Sequence, residues 1–205
     1  EVRGGKNHFV YSKVMCWVAL DRALKIKIAH SFEDGNIEHW EKAKRNISEE
    51  VLSRGFNEKK KSFVQSFDSL SLDAALLLLS RGGFIDGKDP RMISTIQAIQ
   101  TELCHDKTFV YRYTSEDGLP GREGAFLVAS FWLVDALILA GKVDEARGIF
   151  EKVLSKANHT GLFSEEIDPH TGEFLGNFPQ AYTHVGLINS ALRLSSLEER
   201  RRVTM

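Results

Sequence analysis

Apolar residues recur at helical spacing in seven stretches of the chain, and strict alternation of apolar and polar residues is rare. The stretches cover about residues 12–32, 37–54, 70–79, 90–103, 123–140, 143–157 and 180–194. Asp89 followed by Pro90 is a favourable helix start, and the glycines at 82, 83 and 141 are typical helix stops. The pattern therefore predicts seven helices joined by loops.

The predicted helices alternate in character along the chain. The first, third, fifth and seventh are apolar nearly all round, whereas the second, fourth and sixth are amphipathic. Because a helix that is apolar on every side must be enclosed, we expect an inner ring of buried helices wrapped by an outer ring. The repeat of roughly 55 residues has weak internal identity, which favours a closed toroid over a solenoid. Trp17, Phe126, Phe131 and Trp132 are expected to lie in its core.

The predicted links between helices are of two lengths. Links from an inner to an outer helix are short, whereas those from an outer to the next inner helix are long and cover 55–69, 105–122 and 158–179. Segment 1–11 occupies an equivalent place. In an up-down arrangement the long links fall at one end of the ring, where binding and chemistry usually lie. They collect carboxylates, aromatic residues and arginine, which suit sugar hydroxyls and sugar ring faces.

Composition narrows the possible partners. The 205 residues suit a single domain, 1–205, and the 27 basic and 28 acidic residues nearly cancel, so neither nucleic acid nor an anionic membrane is favoured. No run of about 18 apolar residues exists that could span a bilayer. Cys16 and Cys104 lie in apolar patterns and are expected to be buried free thiols, which indicates a reducing, cytoplasmic location.

Other chemistries find little support in the sequence. The seven histidines show no paired ligand spacing and no cysteine partners, so no metal site is expected. The glycine-rich stretch 118–124 lacks the Lys-Ser/Thr ending of a phosphate loop. No Gly-x-Ser-x-Gly elbow is present. Two carboxylates from different loops that flank a glycosidic bond remain the candidate arrangement.

Four sets of motifs resemble glycoside hydrolase family 15, which holds glucoamylases and bacterial-type trehalases. The matching runs are EVRGGKNHFVYSKVMCWVALDRA at 1–23, SFVQSF at 62–67 with LDAALLLL at 72–79, YRY at 111–113 with DGLPGREGAFL at 117–127 and SFWL at 130–133, and LFSEEIDPHTGE at 162–173 with GNFPQAYTH at 176–184. They span nearly the whole chain in order.

The resemblance implies an (α/α)6 barrel, here incomplete with about seven helices, that inverts the anomeric carbon without a cofactor. It implies Glu1 as the general acid and Glu165 as the general base, with Glu166 as the neighbouring candidate for the base. Tyr111, Arg112, Glu123 and Glu166 are implied at the substrate. The function implied is exo-acting release of glucose from trehalose, maltose, isomaltose or α-glucan ends. An inverting pair should stand roughly 6.5 to 9.5 Å apart.

The family's earlier helices and pocket residues are absent from the sequence, so we expect the missing N-terminal half of the same polypeptide as a partner. Without it, helices meant to be buried would expose apolar flanks. Another helical-barrel glycosidase and a sugar isomerase are alternatives within the same fold class. A truncated, non-catalytic scaffold that binds partners is the alternative of a different class.

Overall fold

The computed structural model describes residues 5–30, 35–113 and 123–203, with side chains to residue 199. Within these ranges the chain is mostly helical. The six α-helices are α1 (Val10–His30), α2 (Ile37–Arg54), α3 (Pro90–Glu102), α4 (Leu127–Leu139), α5 (Val143–Leu154) and α6 (Ala181–Val203), and one 3-10 helix covers Ala74–Leu78. The predicted start at Asp89 is confirmed, since its side chain accepts a hydrogen bond from the Arg91 backbone at 2.9 Å.

The third predicted helix is shorter than its apolar run. Backbone N–H of Gln65 donates to the Ser71 carbonyl at 2.8 Å, which keeps the start of the run extended. Asp73 then caps the 3-10 helix by accepting from the Ala75 N–H at 2.7 Å. Long-range pairing therefore decides the start of this helix, and the prediction of a ten-residue helix was wrong.

The long links contain short antiparallel strands that periodicity did not predict. The strands are β1 (Phe56–Asn57), β2 (Ser62–Phe63), β3 (Cys104–His105), β4 (Phe109–Val110), β5 (Ala125–Phe126), β6 (Glu166–Ile167) and β7 (Phe174–Leu175). They form two hairpins, β1-β2 and β3-β4, and one three-stranded sheet in the order β5-β6-β7. Each small sheet lies beside the start of a helix and fixes the long link there.

Helix α4 is the centre of the described core. It packs on α5, α6, α3 and the 3-10 helix, and ten of its thirteen residues are buried, among them Phe131. The expectation that this helix is enclosed is confirmed. Phe126 and Trp132 are only half-buried, and both line a cavity described below.

Helices α1 and α6 are not enclosed by the described residues, contrary to the expectation for apolar helices. In α6 one face leaves four large side chains exposed, namely Tyr182 (73%), Val185, Ile188 and Leu192. In α1, Ile28 is 74% exposed. Helix α1 packs mainly on α2 and α6 mainly on α4, and no described element covers the opposite flank of either helix. The expectation of exposed apolar flanks on an incomplete ring is confirmed.

The two cysteines differ in environment. Both are free thiols, as expected, and Cys104 is partly buried in β3. Cys16 lies on the uncovered flank of α1 and is exposed, so the prediction that both are buried was wrong for this residue. Among the described residues, none of the helices combines the length and apolar character needed to cross a bilayer.

Candidate active site

The start of α4 and the link 158–179 hold Glu165 by its backbone on two sides. Its N–H donates to the Asn177 carbonyl at 2.9 Å, and its carbonyl accepts from the Leu127 N–H at 3.1 Å. Glu165 directly precedes β6, the central strand of the three-stranded sheet. A carboxylate anchored this way keeps a fixed position relative to α4.

The carboxylate of Glu165 is held through one oxygen. Asn177 donates to Oε2 from its backbone N–H at 3.1 Å and from its side-chain Nδ2 at 2.7 Å. The preceding Gly176 has φ +71°, and a Cβ there would lie 3.0 Å from both Cβ and Oε2 of Glu165. The segment can approach the carboxylate this closely only because residue 176 is glycine. Within the described residues Oε1 receives no hydrogen bond, so this oxygen is open.

Glu166 has a different environment from its neighbour. It pairs with Phe126 and Leu175 in the sheet, and its Oε2 accepts from the Gly124 N–H at 2.9 Å. Burial raises the pKa of Glu166, and the charges of Glu123 and Glu165 add to the rise, whereas the Gly124 hydrogen bond and Arg112 oppose it. A group with a raised pKa is less suited to remain an ionised base.

Arg112 lies between aromatic rings beside the cavity. Its Cζ is 5.1 Å from the ring centroid of Tyr113 and 5.9 Å from that of Phe126. Its carbonyl accepts from the Ala74 N–H at 2.9 Å, which ties it to the 3-10 helix. Among the described residues the guanidinium makes no ion pair, so its N–H groups can donate to a ligand.

A cavity of about 200 Å³ lies where α1, the 3-10 helix and α4 begin. Its lining combines aromatic rings with a few polar groups, as sugar sites require. The lining residues are Phe9, Tyr11, Ser12, Gln65, Asp73, Ala75, Leu76, Arg112, Phe126, Ala129 and Trp132. Sequence reasoning singled out Arg112 as a substrate residue but missed Gln65 and Asp73, although both stand in motifs that carried the resemblance.

Of the remaining predicted site residues, one lies outside the described part of the chain and two do not line the cavity. Glu1 lies outside the described residues, so its separation from Glu165 stays a prediction. Tyr111 is half-buried and packs against the core rather than lining the cavity. Glu123 is exposed two residues before β5, and its charge raises the pKa of Glu166. The structure thus brings Arg112, Glu165 and Glu166 to the ends of adjoining elements.

Metal-ligating side chains do not gather in the described ranges. No group of three or more His, Cys, Asp or Glu residues within 5–30, 35–113 and 123–199 could hold an ion. The two imidazoles that meet, His105 and His170, have ring centroids 4.5 Å apart and connect the β3-β4 hairpin to the link after β6. The polar and aromatic groups at the described site are carboxylates, one arginine, an amide, hydroxyl groups and aromatic rings.

The sequence matches the profile of the glycosyl hydrolases family 15 over residues 1–192, and the chain belongs to this family. A wild-type glycosidase of known structure superposes with a TM-score of 0.79 at 17% identity, over 94% of this chain and 53% of that one. The predicted (α/α)6 toroid class is confirmed, with about half of the ring present.

Curated relatives carry a more specific name. The chain is 44% identical over 194 residues to a trehalase of Thermoplasma volcanium, which covers 95% of this chain and 31% of the relative. It is 43% identical over 202 residues to a trehalase of Mycolicibacterium smegmatis, which covers 97% of this chain and 30% of the relative. The chain therefore spans about a third of the length of these relatives.

Proposed function

We propose that this chain supplies the general base and part of the sugar pocket of an inverting, exo-acting glycoside hydrolase that releases glucose from α-linked glucosides. Trehalose is the first substrate to test, because the similar proteins from Thermoplasma volcanium and Mycolicibacterium smegmatis are named trehalases. Maltose, isomaltose and α-glucan ends are the other candidates. The observation that carries the proposal is the Glu165 carboxylate, which Asn177 holds through Oε2 and whose Oε1 accepts no hydrogen bond from the part of the chain that the structure describes.

In the proposed reaction Glu165 accepts a proton from a water molecule at its open oxygen. The water oxygen bonds to the anomeric carbon from the face opposite the leaving sugar, while the glycosidic C–O bond breaks. A second carboxyl group, assigned to Glu1, donates its proton to the leaving oxygen. Arg112 donates hydrogen bonds to sugar hydroxyls, and the rings of Phe126 and Trp132 lie against the apolar ring face.

Glu165 is favoured over Glu166 as the base. Burial raises the pKa of the Glu166 carboxyl, and the charges of Glu123 and Glu165 add to the rise, which favours its protonated form. A non-catalytic scaffold would not need a Glu165 carboxylate that is held through one oxygen while the other is left for a ligand, since the second oxygen does not contribute to the packing of the helices.

The exposed flanks of α1 and α6 support a second part of the proposal. We infer that further helices of the same polypeptide cover them and complete the ring and its pocket. Four large apolar side chains on one face of α6 are costly to leave in water. In the complete gene product, Ile188→Asp should lower stability and activity, whereas in the 205-residue chain alone it should leave stability unchanged. Equal effects in both proteins would contradict this inference.

The experiment for the reaction uses the complete gene product and proton NMR of fresh trehalose digests. Inversion predicts equal initial amounts of α- and β-glucose, because the attacked sugar inverts and the leaving sugar keeps its configuration. Glu165→Gln should lower kcat by about 10² to 10⁴-fold. Glu173→Gln is the matched control, since Glu173 is an exposed carboxylate of the same link. Only α-glucose at early times, or full activity of Glu165→Gln, would refute the proposal.

A further inference from the structure

One type of backbone hydrogen bond, called a joint below, occurs three times at the end of the ring where the long links lie. In each joint, the first residue of a helix donates its N–H to a carbonyl in a long link. The helices are α1, the 3-10 helix and α4, and the links are 55–69, 105–122 and 158–179, respectively. The three joints pair Val10 with Gln65, Ala74 with Arg112 and Leu127 with Glu165, with N···O distances of 2.9, 2.9 and 3.1 Å.

The surroundings of the three acceptors repeat as well. Two positions before each acceptor stands a fully buried apolar residue: Phe63, Val110 and Phe163. The backbone N–H of each of these residues donates to a side chain on a later helix: Thr95 Oγ1 at 2.9 Å, Ser130 Oγ at 3.1 Å and His184 Nε2 at 3.4 Å. Gln65, Arg112 and Glu165 therefore occupy equivalent positions in one repeated local structure.

Two of these three positions already have roles in the proposed function, as the sugar-binding arginine and the base. The third, Gln65, lines the same cavity as Arg112 and is only 6% exposed. Its Nε2 donates to Asp73 Oδ2 at 3.3 Å, which orients the amide. Within the described residues its Oε1 accepts no hydrogen bond. An amide offers both a donor and an acceptor, which suits a hydroxyl group.

The charge around the cavity fits an uncharged polyol rather than an ion. Asp73 and Arg112 both line it, so neither sign of charge dominates. Burial raises the pKa of the Tyr11 phenol, with Asp73 adding to the rise and Arg81 opposing it, so Tyr11 stays protonated and can donate. Hydroxyls, amides and one ion of each sign are the groups that pyranose hydroxyls pair with.

We propose that Gln65 is a third sugar-contacting residue, oriented by Asp73, which hydrogen-bonds one hydroxyl of the glucosyl unit and discriminates against sugars that lack it. This rests on the proposed function and deepens it. A buried amide left without its hydroxyl partner is unfavourable, so such a contact confers stronger selectivity than an apolar wall does.

The test compares Gln65→Leu with Gln100→Leu in the complete gene product. Gln100 is the matched control: it is 8% exposed and donates to Glu145 Oε1 at 2.8 Å, but it is on α3 and does not line the cavity. Gln65→Leu should lower kcat/KM for the best α-glucoside about tenfold or more, and Gln100→Leu should stay within about twofold. Gln65→Met, unbranched and of similar length, serves if the leucine variant does not fold.

A second readout separates sugar contact from a merely structural role. Each variant is assayed with the series of monodeoxy α-glucosyl fluorides. Wild type should react more slowly with the analogue that lacks the contacted hydroxyl than with the parent α-glucosyl fluoride. In the Gln65 variant this difference should vanish for that analogue and remain for the other deoxy positions. An equal loss at all positions, or a Gln65 variant as active as the Gln100 variant, would overturn the inference and leave the proposed function intact. Wild type inactive on every α-glucoside would overturn both.

Discussion

Replacement of Asn177 by alanine should lower kcat while leaving KM nearly unchanged. Asn177 does not line the cavity, but two of its N–H groups donate to the one Glu165 oxygen that faces away from the proposed water. Alanine keeps the backbone donor at 3.1 Å and removes the shorter side-chain bond at 2.7 Å. Asn177 is thus a positioning residue, and its loss allows the Glu165 carboxylate to rotate.

The size of the effect follows from the bond that is removed. Hydrogen bonds to charged groups contribute about 1.5 to 3 kcal/mol. Because Asn177 is exposed and water can replace part of the interaction, we expect about 1 to 2 kcal/mol of transition-state stabilisation to be lost. That is a fall of about 5- to 30-fold in kcat. Asn177→Asp should be worse, since it places a second carboxylate against Glu165.

Steady-state kinetics on the complete gene product, with glucose release as the signal, gives kcat and KM separately. Asn158→Ala is the structural control, because the Asn158 side chain stabilises its own turn, where its Oδ1 accepts from the N–H groups of Thr160 and Leu162 and from the Thr160 hydroxyl. It should lower the unfolding temperature without a selective fall in kcat. The reasoning is refuted if Asn177→Ala keeps kcat within twofold, or if alanine and aspartate variants behave alike.

The remaining predictions concern stability and reactivity. Burial alone would raise the pKa of Asp21, but hydrogen bonds from Lys44 and Lys25 outweigh this effect and lower the pKa from 3.8 to about 2. The stability advantage of wild type over Asp21→Asn, measured by urea unfolding, should therefore be full above about pH 5 and should be lost as the pH falls through about 2. Asp135 is buried between Arg81 and Arg193 and accepts a hydrogen bond from Ser190. Asp135→Ala should lower the free energy of unfolding by about 2 to 4 kcal/mol, somewhat less than breaking a fully buried pair, because the arginines are partly exposed. A loss under about 1 kcal/mol in the same assay would contradict this prediction. Iodoacetamide should modify the exposed Cys16 and spare Cys104, whose pKa burial raises to about 12; peptide mass spectrometry that found equal labelling would be the contrary result.

Local signals were enough to predict most of the helices. Helix α2 begins after Asn36, whose side chain accepts from the His39 N–H at 2.9 Å, and α3 begins after Asp89. Both caps are readable in the sequence because they depend on residues within one turn. The two-residue strands were missed, since only partners far along the chain define them.

Burial was harder to predict for the first and last helices. Their apolar composition indicates enclosure, and the described residues leave Ile28 and Tyr182 exposed because no described element packs on those flanks. Apolar composition indicates that a helix can be buried on all sides, whereas its actual burial depends on which neighbouring elements are present. The same reasoning explains why Cys16 was wrongly expected to be buried.

Only part of the candidate site could be proposed from the sequence. Arg112 and Glu165 came from the resemblance rather than from spacing, and the structure adds that both follow a buried anchor residue in the same local fold. Gln65 shares that position but has no charge, so neither charge nor loop composition marks it. Its equivalence appears only in three dimensions, in the backbone hydrogen bond from Val10 and in the buried Phe63, whose N–H donates to Thr95.

The most direct test of the central claim is azide rescue of Glu165→Ala in the complete gene product. Without its carboxylate the site cannot activate water, but azide is already a nucleophile and can occupy the space. The account predicts that azide restores turnover of an α-glucosyl substrate and that the product is β-glucosyl azide, whereas Glu166→Ala gives no such product. Undiminished hydrolysis by Glu165→Ala, or β-glucosyl azide from Glu166→Ala alone, would contradict the assignment of Glu165 as the base.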